Sequence, residues 1–180
     1  MPTIPCLIRT DRATNIKRLL IDSLTFNELL KLLPALRNVQ SLCTDYQLHC
    51  DDRSDSWQQQ IFSINSMLPK CIQLNVQLSD DMTFEHIEYL LQQTPNLRKL
   101  VLPGWYHVPN AKKWELLLSI QCPKLIKFEL SCVGDADDDS FYQAIDDFKE
   151  ECDATVFWRK RNTITEKNGS LFSCHFDTVA

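Results

Sequence analysis

Apolar residues along this chain keep two rhythms that take turns. Around Leu97, Leu100 and Leu102 they alternate with polar neighbours, the period of a strand half buried on one face. Around Phe84, Ile87, Leu90 and Leu91 they form the single stripe of an amphipathic helix. The stretch LTFNELLKLLPALRNVQSL from Leu24 is echoed by MTFEHIEYLLQQTPNLRKL from Met82, so helix and strand recur as a unit. Thr25 and Thr83 stand where an N-cap hydroxyl accepts from the first free backbone N–H groups. The same reasoning predicts further helices over 56–67, 111–120 and 140–151.

Proline marks the joints. PALRNVQS from Pro34, PKCIQLNV from Pro69, PNLRKLVL from Pro95 and PKLIKFEL from Pro123 share a frame, and TNIKRLLI from Thr14 repeats it without proline. From Ile16 to Leu125 the intervals are 20, 35, 26 and 28 residues. Their mean falls in the range of about 20–29 residues that leucine-rich repeats occupy. Alternation predicts an inward set of Ile16, Leu19 and Ile21; Cys71, Leu74 and Val76; Leu97, Leu100 and Leu102; and Leu125, Phe128 and Leu130. In the second copy the frame reads equally well from Leu36 or from Val39 through Leu42. Strand then helix, repeated, predicts an α/β leucine-rich-repeat solenoid with parallel inner strands and outer helices. FWRKRNTITEKNGSLFSCHFD, with Asn168 and Gly169 as a type I′ turn between β-prone segments, predicts a C-terminal β-hairpin cap. The expected organisation is an N-terminal segment over 1–13 that reads as a fragment of an upstream repeat, degenerate repeats over 14–152, and the hairpin cap and tail over 153–180.

Charge and composition narrow the partners. A net charge of −5 across 180 residues speaks against a nucleic-acid partner, which needs a basic face. No apolar run approaches the roughly 18 residues of a membrane span, and MPTIPCLIRTDR does not read as a secretion signal. A soluble intracellular protein is expected, cytoplasmic with the nucleus also open. The eight cysteines include no C-x-x-C pair and read as reduced thiols. Three scattered glycines supply no phosphate-cradling loop.

The residues between the inward ones define the candidate binding face. Two columns result: Arg18, Asn38, Gln73, Lys99 and Lys127, then Leu20, Gln40, Asn75, Val101 and Glu129. After the fourth strand PGWYHVPN places Trp105 and Tyr106 in a predicted loop, where aromatic side chains serve as interface anchors or fold back as a lid. Acidic pairs at Asp51 and Asp80 and the run from Asp135 fall on one rim, at helix N-termini. Asp135, Asp137, Asp139 and Asp146 match four positions of a calcium loop, but Ser140 stands where that loop needs glycine. His49 beside Cys50 and Cys174 beside His175 would point to opposite faces of an extended segment, so neither pair reads as a dyad. The expectation is no catalytic residue, no cofactor and no metal.

LLPALRNVQSL, LPKCIQLNV, QTPNLRKLVL and CPKLIKFEL, followed by FWRKR and its hairpin, resemble the repeat-bearing part of F-box-type leucine-rich-repeat proteins over roughly residues 14–176. The resemblance implies a noncatalytic receptor that holds a protein substrate on its concave face for a ubiquitin ligase. The segment ahead of the first repeat is too short for an F-box, so the ligase scaffold is an expected partner only if the natural chain has an F-box upstream. A free-standing repeat scaffold or inhibitor is the alternative reading, and a small cysteine-dependent hydrolase a third.

Overall fold

The computed structural model describes residues 15–50, 67–105, 110–135 and 137–178. Within them the chain is α/β, built on a mostly parallel sheet of seven strands. The strands are β1 (Arg18–Ile21), β2 (Ser41–Thr44), β3 (Gln73–Asn75), β4 (Lys99–Trp105), β5 (Lys127–Val133), β6 (Ile164–Asn168) and β7 (Leu171–Asp177). The helices are α1 (Phe26–Leu32), α2 (Phe84–Gln92), α3 (Ala111–Gln121), α4 (Asp139–Ala154) and α5 (Val156–Lys160). β1 to β5 lie side by side in chain order and parallel; β7 then pairs antiparallel with β5, and β6 forms the far edge. Helices α3 and α4 match the predicted ranges, the latter running on to Ala154, whereas the helix predicted over 56–67 lies outside the described residues except for Met67. Among the described residues no helix is long and apolar enough to cross a membrane.

The joint between units recurs atom for atom. The carbonyl oxygens of Lys17, Gln40, Ile72 and Arg98 each accept two N–H groups from the unit that follows, as Gln73 and Ile72 donate to Gln40. Just upstream, Val39, Cys71, Leu97 and Leu125 donate three residues back to Leu36, Leu68, Thr94 and Cys122. In the last three turns the second residue is Pro69, Pro95 or Pro123, a position that uses proline's fixed φ and needs no N–H. In the second unit Arg37 holds that place, and Pro34 sits three residues earlier in a 3-10 turn over Leu33–Leu36. Its frame therefore runs from Val39 through Leu42, both buried, with intervals of 23, 32, 26 and 28 residues along the chain.

Alternation decides what is buried. Leu42, Leu74, Leu100, Phe128 and Phe176 stand in register across five strands, each at most 1% exposed, beneath the apolar stripes of the helices. The first unit departs from expectation: Ile16 is 41% exposed, and Leu19 and Ile21 only pack partly on the core, because β1 is the edge of the described sheet. At the other end the core turns aromatic. The Phe128 ring lies 5.3 Å from Trp114, 5.5 Å from Phe176 and 6.0 Å from Trp158. FWRKR, expected as strand, is helical through Lys160; Trp158 is fully buried and the Arg161 guanidinium stacks 3.8 Å over Phe157. Packing of those rings overrides their strand propensity. The hairpin is present, but Asn168 pairs with Leu171 and the turn is Gly169–Ser170. Within this turn the positive φ (+58°) falls at Gly169 alone, the first central residue, which is the type II′ arrangement and not I′.

All seven cysteines among the described residues are free thiols. Burial pushes the Cys71 thiol up to about 11 and Cys122 up to about 12, and drives Cys132 higher still. Cys174 is raised first by its hydrogen bond with Cys152 and then by burial.

Candidate functional site

The other face of the sheet carries the alternate residues, and strand register arranges them in rows. Arg18, Ser41, Gln73, Lys99, Lys127 and Asp177 are successive partners across six strands. The next row is Leu20, Cys43, Asn75, Val101, Glu129 and His175. Of the expected candidates, Arg18, Gln73 and Lys99 with Lys127 thus share one row, and Asn75 and Glu129 the other. None of these side chains belongs to the apolar core beneath the helices. Val101 is 9% exposed yet also stands outside that core, held among its neighbours on the open face.

Two columns need correction. Ser41 and Cys43 take the places assigned to Asn38 and Gln40, because the second unit follows the later frame. Asn38 lies instead in the turn before β2, where its Oδ1 accepts from Lys70 Nζ at 2.7 Å. One unit on, Asn96 donates to the Pro69 carbonyl and accepts from Lys124 Nζ, so the equivalent turn positions form an asparagine–lysine ladder along the outside. Asp177 and His175 extend the rows and were missed. The alternation of Phe172, Cys174 and Phe176 with Ser173, His175 and Asp177 was the available signal, but nothing local shows that β7 inserts beside β5.

Trp105 is also corrected. It is the last residue of β4, not a loop residue; the bulge at Pro103–Gly104, with Gly104 at φ +69°, turns its ring inward. There it is 1% exposed, donates its indole N–H to the Met82 carbonyl at 3.1 Å, and packs edge-on to Trp114. Its side chain is therefore not presented to a partner. Tyr106 lies outside the described residues.

Charge separates the two rims of the sheet. Arg18, Lys70, Arg98, Lys99, Lys124 and Lys127 lie at the N-terminal ends of the parallel strands; Asp45, Asp80, Asp81 and Asp135 follow their C-terminal ends. Several acids on that second rim have local duties. Asp138 caps α4, and its hydrogen bonds from the Ser140 side chain and backbone hold its carboxyl below the usual range. Asp81 accepts from the Cys50 N–H at 2.8 Å and from the Ser79 hydroxyl. The calcium-loop match dissolves because Asp139 and Asp146 lie within α4, about 10 Å apart along its axis. Among the described residues no group of three or more His, Cys, Asp or Glu side chains is placed to hold a metal ion.

Folding does bring a thiol and an imidazole together, though not the pairs adjacent in sequence. Cys50 Sγ lies 3.2 Å from His86 Nε2 and 3.6 Å from Met82 Sδ. His86 stands at the third position of α2, where it completes a capping box with Thr83, as Glu28 does with Thr25 in α1. Its Nδ1 accepts the Thr83 N–H at 3.0 Å, which puts the neutral ring's proton on Nε2, facing the sulfur. An imidazole so held donates to the sulfur and is not a base for that thiol. On the helix side, Phe84, Glu85, Glu88, Lys113, Leu116 and Ile120 line a groove of about 260 Å³ between α2 and α3.

Comparison with protein-family models, with curated proteins and with solved structures gave no match.

Proposed function

We propose that this chain is a noncatalytic protein-recognition module, a leucine-rich-repeat solenoid that receives its partner on the open sheet face. The observation that carries this reading is the register. Two rows, the first polar or charged throughout and the second mixed, take one residue from each of β1 to β5 and one from β7, unbroken across six strands on the side away from the helix-covered core. Repeat arrays use such surfaces for partners, since each unit adds contacts without altering the fold. The recurring joint and turn hydrogen bonds support the repeat reading, and the resemblance to F-box-type repeat proteins extends it to the substrate-reading part of a ubiquitin-ligase receptor. That extension requires an F-box in the same natural chain, which the mass and sequence of the endogenous protein test.

A free-standing scaffold or inhibitor would use the same face. Among the described residues the hydrolase reading would rest on Cys50 and His86, whose tautomer opposes it. A photo-crosslinking residue at Asn75, compared with one at Leu116 in the helix-side groove, tests the proposal inside cells. Discrete adducts from position 75 and none from 116 are expected; adducts from 116 alone would move the binding surface to the helices.

A further inference from the structure

The chain is acidic overall, yet one rim of its open face is basic. Along the first row, Arg18, Lys99 and Lys127 alternate with the neutral Ser41 and Gln73. Among the described residues the ion pair on this rim is Lys127 with Asp177, at 3.8 Å, and no carboxylate pairs with Arg18 or Lys99. The second row offers the apolar Leu20, 60% exposed, with the amide of Asn75 two strands on beside a largely covered Val101. Both rows run perpendicular to the strands.

We propose that the open face is read by an acidic, extended protein segment lying across the strands, with carboxylates on the Arg18, Lys99 and Lys127 row and an apolar side chain against the exposed Leu20. This inference rests on the recognition reading and names its partner's chemistry. Asp177 already shows the contact, a carboxylate at the end of the row held against Lys127. Strand spacing sets the partner's geometry. Lys99 and Lys127 are one step of about 4.8 Å apart and Arg18 is three steps from Lys99, about 14 Å. An extended segment at about 3.3 Å per residue spans that distance in four to five residues.

The alternative polyanion, a nucleic acid, fits less well. Among the described residues the two rows contain no Phe, Tyr or Trp on which successive bases could stack, the one ring being that of His175 at the end of the second row; Glu129 lies beside it, and the opposite rim is acidic.

Fluorescence anisotropy on the full chain tests this with labelled 12-residue peptides. One carries two glutamate clusters four to five residues apart around a leucine, and one has lysine in place of each glutamate; a 12-nucleotide single strand is the third probe. The acidic peptide should bind saturably, more weakly as salt rises. Lys99→Glu with Lys127→Glu should weaken it by about tenfold or more. Asp177→Asn, which removes the resident competitor, should strengthen it by about threefold. Lys31→Glu with Lys160→Glu, a charge-matched pair on the helices, should leave it unchanged, and circular dichroism should show every variant folded. Failure of the acidic peptide to bind, preference for the oligonucleotide, or an equal loss in the helix pair would overturn the inference. Should the Asn75 adduct persist while the acidic peptide fails to bind, the recognition reading stands and only the acidic occupant falls; loss of both removes both.

Discussion

The helix-covered and open faces of the sheet are made from alternate residues of the same strands, and they follow different rules. Inward, Leu42, Leu74, Leu100 and Phe128 repeat one property, complete burial, and change from leucine to phenylalanine only at the hairpin end. Outward, one residue earlier, Ser41, Gln73, Lys99 and Lys127 repeat a position but not a size or polarity. Packing explains the first series: a side chain that leaves the core loses both transfer free energy and contacts. It does not explain the second, which any soluble side chain would satisfy. The excess of cations on that rim of an acidic protein therefore points to something outside the fold.

The comparison is most severely tested at its aromatic end. Phe128→Ala should cost about 3–5 kcal/mol in denaturant unfolding, since its ring meets Trp114, Trp158 and Phe176. Leu100→Ala, on the same row, should cost about 2–5 kcal/mol; a loss of the size seen at surface positions would break the inward assignment. Next in size is Gly134→Ala. A Cβ there would run into the Phe141 ring, so the ring must shift, at about 1–3 kcal/mol.

Alkaline unfolding probes the helix-covered face through its thiols. Burial raises Cys71 and Cys122 from an ordinary value of 9.0 to about 11 and about 12 in the folded chain. The unfolded state thus releases protons first, so stability is full below about pH 8 and falls as pH rises from 9 toward 11. Each such thiol contributes a slope of about 1.4 kcal/mol per pH unit within its window. A flat unfolding midpoint from pH 8 to 10.5 would contradict the burial of these groups. Smallest of all, Lys99→Glu should change stability by less than about 0.5 kcal/mol, because its side chain stands on the open face, in register with Gln73 and Lys127 and not with the buried row.

What could be read from the chain follows the same division. The inward positions of the third, fourth and fifth units were legible because burial imposes strict alternation. The second unit was not, because Pro34 serves a 3-10 turn there and not the usual joint, which moved the frame by three residues. Trp105 was misplaced because a bulge at Gly104, not a loop, follows Leu102, and one bulge reverses which face a side chain takes. FWRKR deceived through propensity, its rings needing a helix to reach Phe128 and Phe176. The rows of the open face were half visible: Arg18, Gln73, Lys99 and Lys127 were found by spacing, but Asp177 depends on β7 returning from a distance, and the meeting of Cys50 with His86 on contact between units.

The claim that recognition belongs to the open face is tested most directly by adding bulk to it. With the partner identified through its Asn75 adduct, affinity and unfolding midpoint would be measured side by side for Gln73→Trp and Leu116→Trp. Gln73→Trp should lower affinity by about tenfold or more with the midpoint unchanged, and Leu116→Trp should alter neither. Full affinity in Gln73→Trp together with a loss in Leu116→Trp would contradict the account and assign recognition to the helix side.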